Sequence, residues 1–357
     1  MWKAVAVAGA AALTLTGCTS SGTDDTTTGA SGTTSDAEIG ISLILKTTTN
    51  PFFVAMQEGA EEAAATEGVN LTVAAGREDG DEDTQIQAIE NAISRGDAGI
   101  LITPSGQAVE EALIKAREAG LYVIALDTPP SSEDAVDITF ATDNFLAGEL
   151  IGEWTASALD GGDAIIAMLD LFDDKVVSVD YARDQGFLTG MGIDVADSQV
   201  NGDEAKTGSY SGGNYTIVGN QATQGAEDGG RTAMELLLAQ NPDINVVYTI
   251  NEPAAYGAKA ALDAAGKTDV LIVSVDGGCA GVDGVASGVI GATSQQYPLK
   301  MAELGVAAIA ELVRTGTTPD VTAGLDFFNT GVALVTDNPA DGVDSIDTTA
   351  GSAICWG

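Results

Sequence analysis

The stretch that most restricts the possible fold is 246–279, VVYTINEPAAYGAKAALDAAGKTDVLIVSVDGGC. A short apolar run over 246–250 stops abruptly at Asn251 and Glu252. An alanine-rich segment with helical spacing follows over 254–265, and a second apolar run over 270–275 stops as sharply at Asp276. This is a strand–helix–strand unit, because two parallel strands need such a crossover between them. In an open α/β sheet, ligands sit outside the carboxyl ends of the strands, which places Asn251 and Asp276 at a crevice. Asn and Asp also cap helices that begin at such points, and for one strand end alone capping is an equal account. The same ending recurs along the chain, and the recurrence favours the crevice.

Further strands are predicted at 39–45, 70–75, 99–103, 122–126, 138–141, 164–169, 215–219 and 289–294. Helices are predicted at 52–66, 83–94, 107–119, 144–158, 177–191, 225–239 and 298–313, with Pro51 in a first-turn position. Continuous apolar strands between amphipathic helices imply parallel sheets covered on both faces. There are too many strands for one comfortable sheet, so two doubly wound parallel-sheet lobes are the expected α/β fold. Lys46, Asp127, Asp143, Asp170, Asn251, Asp276 and Gln296 then stand at strand ends. Phe52 and Phe53 follow Asn50-Pro51 after the first strand, and Arg183 lies on a helix of the second lobe. Carboxylates, amides and a guanidinium beside aromatic rings suit a neutral polyhydroxylated ligand, whose hydroxyls both donate and accept.

Formal net charge is −39, from 53 acidic and 14 basic residues. Such a chain cannot neutralise a row of phosphates, so nucleic acid is not an expected partner. There is no histidine. Its absence removes the usual general base and the commonest metal ligand, so no enzyme activity and no cofactor are expected. The acidic run 79–83 with Glu90 mimics calcium-loop spacing, but Thr84 stands where the turn needs glycine. An acidic loop ending in a helix N-cap is the preferred reading there. Gly277-Gly278 is followed by no phosphate-binding glycine pattern.

Residues 4–15 form an apolar stretch too short to span a bilayer, behind Lys3. Leu15-Thr16-Gly17-Cys18 follows and resembles the lipobox of bacterial lipoproteins, which implies a signal peptide over 1–17 and a lipid on Cys18. The polar, low-complexity run up to 37 reads as a flexible tether. Export allows disulfides, and Cys279 with Cys355 is the natural pair.

Several motifs carry a wider likeness: Asn50-Pro51-Phe52-Phe53, the run 123–127, Ala141-Thr142-Asp143-Asn144, Arg183-Asp184-Gln185-Gly186-Phe187, Ile250-Asn251-Glu252-Pro253 and Ser274-Val275-Asp276-Gly277-Gly278-Cys279. Together they resemble the ribose/fructose group of type I periplasmic sugar-binding proteins of ABC transporters. The stretches 292–298, 324–331 and 355–357 are most similar to fructose-binding lipoproteins. Ribose binders usually carry an arginine where Thr128 stands, and a small hydroxyl residue where Lys46 stands.

The resemblance implies ligand contacts from Asn50, Phe52, Phe53, Asp127, Asp143, Arg183, Asn251, Asp276 and Gln296, to which the strand-end reading adds Lys46. It also implies a three-segment hinge near 141–144, 294–297 and 326–330. The N-terminal lobe would then be 38–141 plus 297–326, and the C-terminal lobe 142–296 plus 327–357. The expected protein is a monomeric receptor outside the cell membrane that closes on a monosaccharide, D-fructose first, and presents it to an ABC permease. A ribose, xylose, nucleoside or autoinducer receptor of the same fold remains open, as does a sensor module for a membrane kinase.

Overall fold

The computed structural model describes residues 39–357. The expected signal peptide, the expected tether and the expected lipidation site Cys18 lie outside the described residues.

Two sheets form the frame. The first holds β1 (Gly40–Leu45), β2 (Asn70–Ala75), β3 (Gly99–Ile102), β4 (Tyr122–Leu126), β5 (Ile138–Ala141) and β12 (Phe328–Asn329). Its order is β12-β5-β4-β3-β1-β2, and every pairing in it is parallel. The second holds β6 (Ala164–Asp170), β7 (Thr207–Ser209), β8 (Asn214–Ala222), β9 (Val246–Thr249), β10 (Leu271–Asp276), β11 (Ala292–Gln295), β13 (Ala333–Val335) and β14 (Ser345–Ile346). Its order is β14-β13-β11-β10-β9-β6-β8-β7, with antiparallel pairings where β7 meets β8 and where β11 meets β13. In each sheet the first strand in chain order has its successors on opposite sides, β2 and β3 around β1, and β8 and β9 around β6. Such reversals open a crevice at the carboxyl ends.

The helices are α1 (Pro51–Glu67), α2 (Glu82–Arg95), α3 (Glu110–Glu118), α4 (Asn144–Ala158), α5 (Ser178–Met191), α6 (Glu227–Gln240), α7 (Glu252–Ala264), α8 (Cys279–Ala286), α9 (Pro298–Thr315) and α10 (Thr348–Ser352). One core packs Leu43, Leu101, Ile124 and Phe140 under Met56 of α1 and Val306 of α9, while a second packs Ile44, Ile100 and Val123 under Ile89 of α2 and Leu113 of α3. The second sheet is sandwiched likewise, with Ile151 and Phe187 on one face and Met234 and Ala258 on the other. Covered faces are the reason the strands read as unbroken apolar runs.

The pair α4 and α5 meets main chain to main chain. A Cβ added to Gly148 would lie 2.1 Å from the carbonyl oxygen of Arg183, and one added to Gly186 would lie 2.2 Å from that of Phe145. Only glycine permits this approach.

Three differences from the sequence reading have plain causes. The strand expected at 289–294 is β11, Ala292–Gln295, and it is polar. Thr293 donates to Glu252 Oε1 (2.9 Å), Ser294 to the carbonyl of Ala147 (2.7 Å) and Gln295 to that of Gly277 (2.7 Å). Satisfied hydrogen bonds let it stay buried without an apolar signature. The short elements β7, α8, β13, β14 and α10 carry too little periodicity to announce themselves. Finally, Phe328–Asn329 extends the first sheet beside β5, so the chain leaves that sheet after Asn329, within the crossing expected near 326–330 and past the lobe boundary given at 326.

The expected disulfide between Cys279 and Cys355 is formed, with Cα atoms 4.9 Å apart. No helix among the described residues is long and apolar enough to cross a membrane.

Candidate functional site

The carboxyl ends of the two sheets enclose a small cavity lined by Lys46, Asn50, Phe52, Phe53, Asp79, Asp127, Leu171, Val179, Arg183, Ile250, Asn251, Asp276 and Gln296. The first sheet contributes Lys46 after β1, Asp79 after β2 and Asp127 after β4; the second contributes Asn251 after β9, Asp276 at the end of β10 and Gln296 after β11. The cavity itself measures about 30 Å³, room for about one water, and an adjoining chamber of about 600 Å³ shares Asn50, Asp79 and Asp276 with it.

Arg183 is the hub. The guanidinium donates from Nε to Asn144 Oδ1 (2.7 Å), from one terminal nitrogen to the carbonyl of Ile250 (3.0 Å) and from the other to Gln296 Oε1 (3.3 Å). The last nitrogen also stands 3.6 Å from Asp127 Oδ1, an ion-pair contact too long for a hydrogen bond. Gln296 Nε2 donates in turn to Asp276 Oδ1 (3.0 Å), and the Glu252 amide reaches Asp276 Oδ2 at 3.4 Å. Both ends of the Gln296 amide are therefore assigned by their charged neighbours.

Asp127 and Asp276 share a backbone peculiarity. Their φ angles are +64° and +136°, and among the described residues only Asp160 and Gln224 are other non-glycine residues with positive φ. Strain of this kind persists where the surrounding structure over-determines it, commonly at binding sites. Thr128 Oγ1 donates to Asp127 Oδ2 (2.7 Å), which leaves Oδ1 buried without a hydrogen-bond partner. Asp79 Oδ1 is in the same condition. Lys46 is 2 % exposed although its side chain ends at the cavity. Burial raises the Asp79 carboxyl, an effect that Lys46 opposes. Burial pushes the Asp276 carboxyl up to about 7, with Arg183 pulling the other way. The set holds charges of both signs and unpaired acceptors facing a small space, as suits a ligand with several hydroxyl donors.

Of the ligand residues expected from sequence, all but Asp143 line the cavity. Asp143 caps α4 by accepting from the Leu146 amide (3.0 Å), and the next residue, Asn144, meets Arg183 instead. Asn50 and Asn251 do both jobs, capping α1 and α7 from the cavity wall. Asp170 also ends a strand but turns away: Asn220 donates to it (2.9 Å) in a separate buried group that includes Asp180 and Asp184. Leu171, Val179 and Ile250 were not foreseen, and neither was Asp79. In the acidic loop, Asp81 is the N-cap of α2, as the composition suggested. Asp79 lies beyond the end of β2 and faces inward, and its place at a strand's carboxyl end was the available signal.

The periplasmic binding protein domain family matches residues 41–318. The ribose import binding protein RbsB of Salmonella typhimurium is 27% identical over 275 residues, covering 77% of this chain and 84% of that protein. A D-apiose import binding protein from Actinobacillus succinogenes is 30% identical over 280 residues, covering 78% and 83%. In three dimensions, an ABC transporter solute binding protein from Agrobacterium vitis, solved with bound D-fucose, superposes with a TM-score of 0.72 at 25% identity. That superposition covers 89% of this chain and all of the other. The chain, with its two α/β sheets facing a shared cavity, therefore belongs to the periplasmic binding protein family, and its named relatives are sugar import binding proteins, not enzymes.

Proposed function

We propose that the protein captures a monosaccharide, D-fructose first among candidates, between its two lobes and hands it to an ABC importer. The observation that carries this reading is the convergence of Lys46, Asp127, Arg183, Asn251, Asp276 and Gln296 from both sheets on one cavity walled by Phe52 and Phe53. With the lobes parted far enough to widen this cavity, a sugar's hydroxyls would donate to Asp79 Oδ1 and Asp127 Oδ1 and accept from Lys46, while the phenyl rings cover its C–H faces. Contacts from both sides stabilise the closed arrangement, and closure is what a permease would read.

Fructose is favoured by the likeness at 292–298 and 324–331 and by Thr128, which orients Asp127 where ribose binders usually present an arginine. A pentose is the second reading, because the curated relatives above are named for ribose and apiose import. Lipid attachment at Cys18 would hold the receptor at the outer face of the membrane, as a monomer.

Calorimetry with fructose, ribose, xylose, apiose and glucose tests the assignment. Fructose should bind with the lowest Kd, micromolar or tighter; a lower Kd for ribose or apiose would move the assignment to the pentoses. Heat from none of them would remove the sugar reading. Globomycin-sensitive processing of the precursor tests the lipid on Cys18.

A further inference from the structure

The segment 345–357 belongs structurally to the second sheet. Strand β14 pairs with β13, and Cys355 is bonded to Cys279 at the start of α8. Its last aromatic nevertheless packs on the other side of the cleft. The Trp356 ring is 6 % exposed and lies edge-on to Phe52 of α1, with centroids 5.4 Å apart at 80°. Phe52 is set edge-on against Phe53 in the same way, at 5.3 Å and 88°. Both phenyl rings line the ligand cavity.

Trp356 is fixed from three directions. Its indole Nε1 donates to the carbonyl of Gln296 (2.8 Å), its own carbonyl accepts from the Cys279 amide (2.8 Å), and the disulfide precedes it by one residue. Gly278 leaves room for the ring, since a Cβ there would come within 3.3 Å of it. One side chain thus touches the aromatic wall from the first sheet and the main chain of Gln296, whose side chain joins Arg183 to Asp276.

We infer that Trp356 is a positioning residue of the ligand site, and that the Cys279–Cys355 bond serves ligand affinity by holding this indole between Phe52 and Gln296. The inference rests on the cavity being the sugar site proposed above. An aromatic edge contact and a buried indole hydrogen bond both vanish with the ring, and Phe52 loses its backing. The ligand then faces a softer wall and a looser amide, and escapes faster.

The test uses Trp356→Ala, Trp356→Phe and the pair Cys279→Ser/Cys355→Ser, each in the full mature chain. With D-fructose as probe, Trp356→Ala should raise Kd about tenfold, mostly through the dissociation rate. Trp356→Phe keeps an edge contact and loses the donor, so a rise of about threefold is expected, and a similar one for the serine pair. Ligand-free hydrogen exchange is read in parallel. Protection should fall in peptides covering 50–56 and 294–300 and stay constant in the strands of both sheets. Unchanged Kd, dissociation rate and local protection in Trp356→Ala would overturn the inference. So would a uniform loss of protection throughout the chain, which marks a merely structural role. If that variant does not fold, Trp356→Phe and the serine pair decide by the same criteria. If the wild type does not bind fructose, the fructose assignment fails on that result alone, and the local exchange pattern still decides the role of Trp356.

Discussion

Two buried polar groups share helix α5 and behave as opposites. Arg183 points into the cavity group, where a guanidinium, a lysine and three carboxyl groups line one cavity and Asp79 Oδ1 and Asp127 Oδ1 are buried without hydrogen-bond partners. Asp180 and Asp184, either side of it in sequence, join Asp170 and Glu204 in a group of one sign. Among the described residues, the close cations there are Lys206, 3.0 Å from Glu204, and Arg183, acting on Asp180 at longer range. Asn220 bridges the gap by donating to Asp170 (2.9 Å) and to Asp184 (3.4 Å). Burial pushes Asp170 up to about 7 and Asp180 up to about 6, and it raises Asp184, with Asp170 as the strongest repelling charge. The comparison teaches that burial alone does not mark a site. Both groups hold buried acceptors without partners, Asp170 Oδ1 and Glu204 Oε2 in one and Asp79 Oδ1 and Asp127 Oδ1 in the other. What differs is the charge beside them, since the acidic group must take up protons to relieve its repulsion whereas the cavity group sets its acceptors beside Lys46 and Arg183.

Breaking the support under both groups should have the largest effect. Gly186→Ala forces a methyl against the Phe145 carbonyl, so the cost should be about 3 kcal/mol of stability, read as a lower denaturation midpoint. An unchanged midpoint would mean that α4 and α5 separate freely. Next, Asp276→Asn should weaken sugar binding about a hundredfold, or nearly 3 kcal/mol, while shifting thermal unfolding little. A Kd within threefold of wild type would place the ligand elsewhere.

The acidic group should declare itself through pH. Folded Asp170 and Asp180 hold their protons to about 7 and about 6, whereas unfolded carboxyls release them near 4. Between those values the native state binds more protons than the unfolded one, so stability falls as pH rises from about 4 to about 7. Asp276, also raised to about 7, adds to the same slope. Asp184→Asn removes a charge from the Asp170 neighbourhood and should flatten the slope, raising stability at pH 8 by about 1 kcal/mol in denaturant titrations. A mutant slope equal to that of wild type would separate Asp184 from Asp170. The smallest effect belongs to Thr128→Ala. It frees Asp127 Oδ2 from its one side-chain donor and should raise the sugar Kd about threefold.

Most of the frame was legible because parallel strands buried on both faces leave runs such as ISLIL and VIAL that nothing else explains. The candidate site was legible for a related reason. Polar residues that end such runs have only the carboxyl edge to occupy, and Lys46, Asp127, Asn251 and Asp276 at such ends line the cavity. The same logic does not carry to Asp143 and Asp170, which lie off this cavity. A strand end fixes where a side chain starts, and its neighbours decide whether it caps a helix, joins a carboxyl group or faces the cleft. Asp79 was masked by its surroundings, since five acidic letters in seven positions look like a solvated loop. The strand β11 was shifted because its hydrogen bonds, and not its hydropathy, keep it inside.

The contact of Gly148 with the Arg183 carbonyl has a consequence for how such a receptor could change its taste. The guanidinium inherits its location from two backbones pressed together, a joint that no rearrangement of side chains can loosen. Lineages exploring new nutrients would therefore be free to edit positions such as Lys46, Asp79 and Thr128 around a fixed post. A library diversified at those rim positions should yield altered preferences, while survivors of selection at Gly148 and Gly186 should all return glycine.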